Sequence, residues 1–208
     1  MSAVVGFRCR NGIVLCAHQQ TSAAGAFKSN ERRITIEVEP HQSMVLACSG
    51  LPAETSEFRE EIRKKLGNAE IPSDLLYLAV NEVLTDMCGQ SPSMDLQLLI
   101  GRAAASEYPT LLEFTGKALH VAGDVSFLGG GISPVPRFLA ATMFSPQMDI
   151  EEATNLAIYL THKAAQYMDN CEGALNTAVM KCGDQSSRIL LEEDILKRLK
   201  IGISNLVL

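Results

Sequence analysis

Two pairs of amphipathic helical segments, each pair set between blocks of strand-like sequence, limit what this chain can fold into. In 55–66 the apolar residues Phe58, Ile62 and Leu66 fall four apart, and Gly67 supplies a stop. In 73–88, Leu75, Leu76, Ala79, Val80, Val83, Leu84 and Met87 make a broad stripe ending at Gly89. The second pair covers 136–144 and a longer segment from Asp149. There Asp149 and Glu152 have capping-box spacing, and Ala153, Leu156, Ala157, Leu160, Ala164 and Met168 mark the buried side. A helix with one apolar stripe must bury it against another layer, and here the layers on offer are sheets.

The strands supply those sheets. Residues 3–9 and 13–18 are β-branched and apolar and flank Asn11-Gly12, which predicts a hairpin with Asn11 and Gly12 as turn residues at positive φ. Regular pairing about that turn sets His18 opposite Val5 and Ser2 opposite Thr21, on opposite faces. Segment 33–38 alternates until Pro40, and 44–48 makes a fourth strand before Gly50. Strand character returns at 96–100, 110–114 and 118–121, with Gly116 in a turn, as an antiparallel meander. It returns again at 175–180 and 188–191, before a terminal helix over 192–200. The order predicts an α/β (α+β) fold, a four-layer αββα sandwich with two antiparallel sheets between helix layers, in one domain over 1–208.

Composition excludes other classes. Hydrophobic residues at 47% and charged residues at 20% suit a soluble globular chain and not a disordered one. Net charge is −6, and the basic residues scatter except for Arg63-Lys64-Lys65 and Lys197-Arg198-Lys200, expected at helix ends where they complement the dipole. Nucleic acid is therefore not an expected partner. The six cysteines, Cys9, Cys16, Cys48, Cys88, Cys171 and Cys182, show no zinc spacing and read as buried reduced thiols, with no metal and no cofactor. Residues 1–6 lack a secretory pattern and no apolar run reaches membrane-spanning length, so the expectation is a cytoplasmic protein with no membrane partner.

Several stations then fall in a familiar order. Val5-Gly6, the hairpin from Arg10 to Ala17, Arg32-Arg33-Ile34 and Ala47-Cys48-Ser49-Gly50-Leu51 are followed by Gly129-Gly130-Gly131 and by Asp169-Asn170-Cys171-Glu172-Gly173-Ala174 before a strand. In this order and spacing the chain resembles proteasome β-type subunits, of the N-terminal-nucleophile hydrolase superfamily, from residue 2 to about 181. Strand character beginning almost at Ser2 points to the β type rather than the α type, and to its bacterial or archaeal relatives.

The resemblance implies a nucleophile at the first mature residue, whose free α-amine serves as its own base. Removal of Met1 would make that residue Ser2. His18 stands where the family has an acid after the second strand, and it reads either as a proton relay or as a strand-end histidine held by a backbone carbonyl. Arg33 stands for the family's lysine, and a guanidinium can hold an anion but not act as a base. Lys28 lies five residues earlier. Gly50 matches the glycine whose N–H stabilises the oxyanion, and Asp169 the carboxylate of the Asp-x-x-Ser-Gly station, in which Glu172 replaces the serine. Gly130 replaces another serine, with Ser133 three residues on, while Ser22, Cys48 and Pro52 align with pocket positions.

Two main readings follow, beside a third in which a related fold carries different ligase or amidase chemistry. One is a peptidase or amidase acting on a peptide or protein substrate with Ser2, Gly50 and Asp169 as its minimum machinery. The other is a non-catalytic subunit with an assembly or binding role, suggested by the replacements at His18, Arg33, Gly130 and Glu172. Both imply side-by-side packing into a homo-oligomeric ring.

Overall fold

The computed structural model describes residues 4–18, 35–39, 43–67, 71–105, 107–128, 134–166, 175–183 and 188–206. The strands are β1 (Val4–Cys9), β2 (Gly12–His18), β3 (Thr35–Glu39), β4 (Met44–Ser49), β5 (Gln97–Arg102), β6 (Thr110–Phe114), β7 (Leu119–Val121), β8 (Val125–Leu128), β9 (Leu175–Lys181) and β10 (Arg188–Ile189). The helices are α1 (Pro52–Leu66), α2 (Ser73–Gln90), α3 (Pro134–Met143), α4 (Ile150–Gln166) and α5 (Glu192–Leu206). One antiparallel sheet runs β10-β9-β2-β1-β8 and the other β3-β4-β5-β6-β7.

Alternation sorts the buried side chains into three layers, which is what a four-layer sandwich requires. Met44, Leu46 and Cys48 of β4 share a core with Phe58, Ile62 and Leu66 of α1 and Leu76, Val80 and Leu84 of α2. Val5, Phe7, Val14 and Cys16 pack instead against Ala153, Ala157 and Leu160 of α4. Between the sheets lie Val4, Ile13, Leu15, Val45, Ala47 and Leu99. The predicted αββα sandwich is therefore the observed fold. The capping box is also present: Asp149 Oδ1 accepts from the Glu151 and Glu152 N–H groups at 2.9 Å, and Glu152 Oε2 accepts from Asp149 N–H at 3.0 Å.

Three expectations are corrected. The β1–β2 turn residues are Arg10 and Asn11, because Cys9 pairs with Gly12, and Val5 faces Cys16 rather than His18. Among the described residues only Ser43, Gly50, Gly67, Gly116 and Gly183 have positive φ, so Asn11-Gly12 does not form the predicted turn. Gly12 serves packing, since a Cβ there would come 2.3 Å from the Met180 carbonyl and 2.4 Å from Ile150 Cδ1. The shift is by two residues, which leaves each residue on its expected face. Strand β8 was not predicted; after β7 the chain changes sheets and pairs with β1. Helix α5 continues to Leu206, so Lys197 and Arg198 lie within it, and Arg198 pairs with Glu151 at 2.6 Å and Asn155 at 2.8 Å on α4. Arg63, Lys64 and Lys65 do occupy the last turn of α1.

The cysteines divide. Cys9, Cys16 and Cys48 are buried free thiols, Cys88 and Cys182 are half-buried, and Cys171 is outside the described residues. Burial pushes the Cys16 thiol up to about 11, against hydrogen bonds to Thr161 and Thr177 that act the other way. No helix among the described residues is long and apolar enough to cross a membrane, and no cluster of three His, Cys, Asp or Glu there could hold a metal ion.

Gly12→Ala should cost about 1–3 kcal/mol in urea denaturation, because the overlap is with backbone that cannot rotate away. Gly123→Ala should be near neutral, since nothing lies within 4 Å of its Cβ position. Cys16 should resist alkylation at pH 8 until the protein unfolds. Its raised pKa leaves its contribution to stability intact below about pH 9 and removes it as pH rises toward 11.

Candidate active site

Packing between the sheets fixes which strand ends lie together. Leu99 of β5 packs over Gly6 of β1, where an added Cβ would come 2.3 Å from Leu99 Cδ2. Ile13 of β2 packs over Gly101 of β5 in the same way, also at 2.3 Å. Ile13 pairs with Arg8, so moving from Gly6 to Arg8 along β1 matches moving from Leu99 to Gly101 along β5. The start of β1 and the start of β5 are thus at one end of the sandwich.

Ladder register carries the same end across both sheets. Val4, the first residue of β1, pairs with Ala17, and the next residue of β2, His18, pairs with Leu175, the first residue of β9. In the other sheet Gln97 pairs with Ser49, and Thr35, the first residue of β3, pairs with Cys48. The starts of β1, β3 and β9 and the ends of β2 and β4 therefore share one end.

Gly50 sits at that end, in the turn from β4 to α1. It is buried, has φ 158°, and a Cβ there would lie 2.7 Å from the Asp95 carbonyl oxygen, so no other residue fits this backbone path. Glu54 fixes the turn from the first turn of α1. Its carboxylate accepts from Leu51 N–H at 3.4 Å and from Asp95 N–H at 3.3 Å, tying the helix start to the segment before β5. Pro52 is the first residue of α1, where its missing N–H costs nothing, and the positive end of the helix dipole faces this end of the sandwich. A backbone donor at such a place can stabilise developing negative charge.

Of the residues singled out in the sequence, Gly50 is thus placed fully, and His18 is placed by its backbone as the last residue of β2. Ser2, Arg33 and Asp169 lie outside the described residues, as do Ser22, Lys28, Gly130, Ser133 and Glu172. In the sequence Ser2 stands two residues before Val4, and Arg33 two before Thr35. Cys48 is corrected as a pocket residue: it is fully buried and packs beneath α1 and α2. Its alternation with Met44 and Leu46 carried that signal in the sequence. Glu54, which holds the Gly50 turn, was not singled out, although its position three residues after Leu51 is that of a carboxylate reaching back to a helix start.

Solved structures share the fold. The chain is similar to a mutant of Anbu (Gly-1) from Hyphomicrobium sp. strain MC1, with a TM-score of 0.78 at 14% identity over 99% of this chain and 95% of that one. It is also similar to Anbu (ancestral beta-subunit) from Yersinia bercovieri, with a TM-score of 0.77 at 15% identity over 100% of this chain and 95% of that one. At these identities the likeness is one of fold. No curated protein sequence matches the chain at a significant level. The family model described as "Proteasome subunit" matches residues 2–179, nearly the whole chain, and the protein therefore belongs to the proteasome subunit family.

Proposed function

We propose that this protein hydrolyses peptide or amide bonds with Ser2 as nucleophile, once loss of Met1 exposes it. The observation that supports this most is the shared end of the sandwich, where the start of β1, the start of β3 and the end of β4 meet beside the braced Gly50 turn.

The residues divide the work as follows. Ser2 Oγ attacks the substrate carbonyl carbon while its proton passes to the α-amine of the same residue, whose pKa of about 7.7–8.0 leaves it partly neutral near pH 7. The oxyanion accepts a hydrogen bond from Gly50 N–H, with the α1 dipole behind it. Collapse of the tetrahedral intermediate breaks the C–N bond, the ammonium gives its proton to the leaving amine, and an acyl-Ser2 ester remains. Water, deprotonated by the free amine, then hydrolyses that ester to the acid and restores Ser2. Arg33 stays cationic and favours the ionised Ser2 oxygen without acting as a base. Asp169 balances the positive charge of Arg33 and the amine. His18 is a strand-end residue with no step of its own. The substrate is a peptide or protein, and the working form is a homo-oligomeric ring.

A non-catalytic subunit is the competing reading, favoured by arginine at 33, glycine at 130 and glutamate at 172 in place of the family's usual groups. Treatment with a β-lactone or epoxyketone separates the two. The proposal expects an adduct on Ser2 and parallel loss of fluorogenic peptide hydrolysis. It also expects Ser2→Ala to lower turnover by about a thousandfold and to abolish the adduct. The absence of both labelling and hydrolysis in the unaltered protein would establish the non-catalytic reading. In the active case kcat/KM should rise with pH through about 7.7–8.0 as the amine loses its proton.

A further inference from the structure

At the opposite end of the β10-β9-β2-β1-β8 sheet, a cavity of about 400 Å³ opens between the β1–β2 turn, the end of β9, β10 and the start of α4. Strand β9 separates it from the Leu175 end by about 20 Å. Three cations line it, Arg10, Lys181 and Arg188, each from a different strand or turn, together with the carboxylates of Asp149 and Glu151. In a chain of net charge −6, this local excess of cations stands out.

Both carboxylates are already engaged. Asp149 Oδ1 caps the Glu151 and Glu152 N–H groups. Glu151 is shared between two guanidinium groups, with Arg188 Nη2 2.9 Å from Oε1 and Arg198 Nη2 2.6 Å from Oε2. Among the described residues no carboxylate pairs with the side chain of Arg10 or Lys181. The Arg10 backbone is itself fixed, its N–H donating to the Met148 carbonyl at 3.2 Å, and the Lys181 backbone is held by pairing with Gly12. Two cations that no carboxylate of the described residues pairs with are thus held on rigid backbone beside a cavity whose volume is at the small end of the range for ligand sites.

We infer that this cavity binds a small, multiply charged oxyanion between Arg10 and Lys181, with Arg188 as a third contact. A guanidinium and an ammonium together suit a phosphate group or a pair of carboxylates, and the engaged carboxylates of Asp149 and Glu151 need not be displaced. The ligand would sit at the N-terminal end of α4, at the end of the sandwich opposite Gly50, and so would not compete with a substrate there.

Isothermal titration calorimetry of the full chain with inorganic pyrophosphate, and separately with citrate, at constant ionic strength tests this. The expected result is saturable binding of at least one anion, weakened about tenfold or more in an Arg10→Ala, Lys181→Ala double variant and unchanged in Lys117→Ala. Tighter binding of pyrophosphate would assign a phosphate-bearing ligand, and tighter binding of citrate a polycarboxylate. Both substituted side chains are exposed, so the melting temperature of the double variant in chloride should match the unaltered protein, while the rise given by the anion is lost. No saturable heat with either anion, equal binding by the double variant, or equal weakening in Lys117→Ala would overturn the inference.

Discussion

Close approach of the two sheets is the constraint on which the rest of the structure depends. Gly6 and Gly101 lack side chains where Leu99 and Ile13 cross from the opposite sheet, and an ordinary residue at either position would drive into that neighbour. Ala17, Ala47 and Ala178 keep the same layer thin. The contact is apolar and close, so it contributes through buried area and dense packing rather than through directional bonds. It also sets the longitudinal alignment of the sheets. Because Gly6 meets Leu99 and Ile13 meets Gly101, the ladders of both sheets bring their relevant ends to the same side, and the Gly50 turn lies among them.

Much of this architecture was legible in the sequence, and the reasons are local. The four-residue spacing of Phe58, Ile62 and Leu66, the alternation of 44–48 and the Asp149–Glu152 box each specify an element without help from distant residues. The misread features depend on contacts far along the chain. Gly12 looks like a turn glycine until Met180 and Ile150 are seen to need its missing Cβ. Strand β8 is four residues long and exists because β1 offers a free edge. Arg198 looks like a dipole partner until Glu151, on another helix, proves to be its neighbour.

The site follows the same division. Gly50 could be found because a strand-to-helix turn and a family motif coincide there, and its environment shows why glycine is needed. Cys48 matches a pocket position by its order along the chain, but its face of β4 turns it into the core beneath α1 and α2. The cationic cavity could not be read at all, since Arg10, Lys181 and Arg188 converge only after three strand pairings are made. The chain thus has two chemically distinct ends, one arranged around a braced backbone donor and the other around a cavity lined by Arg10, Lys181 and Arg188.

The hydrolase account stands on Ser2 being the first residue of the mature chain, since only then does its hydroxyl share a residue with a free amine. Intact-mass spectrometry of the purified protein, followed by sequencing of its N-terminal peptide, measures this directly. The account predicts a chain lighter by one methionine residue whose first residue is an unmodified Ser2. A chain that retains Met1, or one whose Ser2 amine is acetylated, would contradict it.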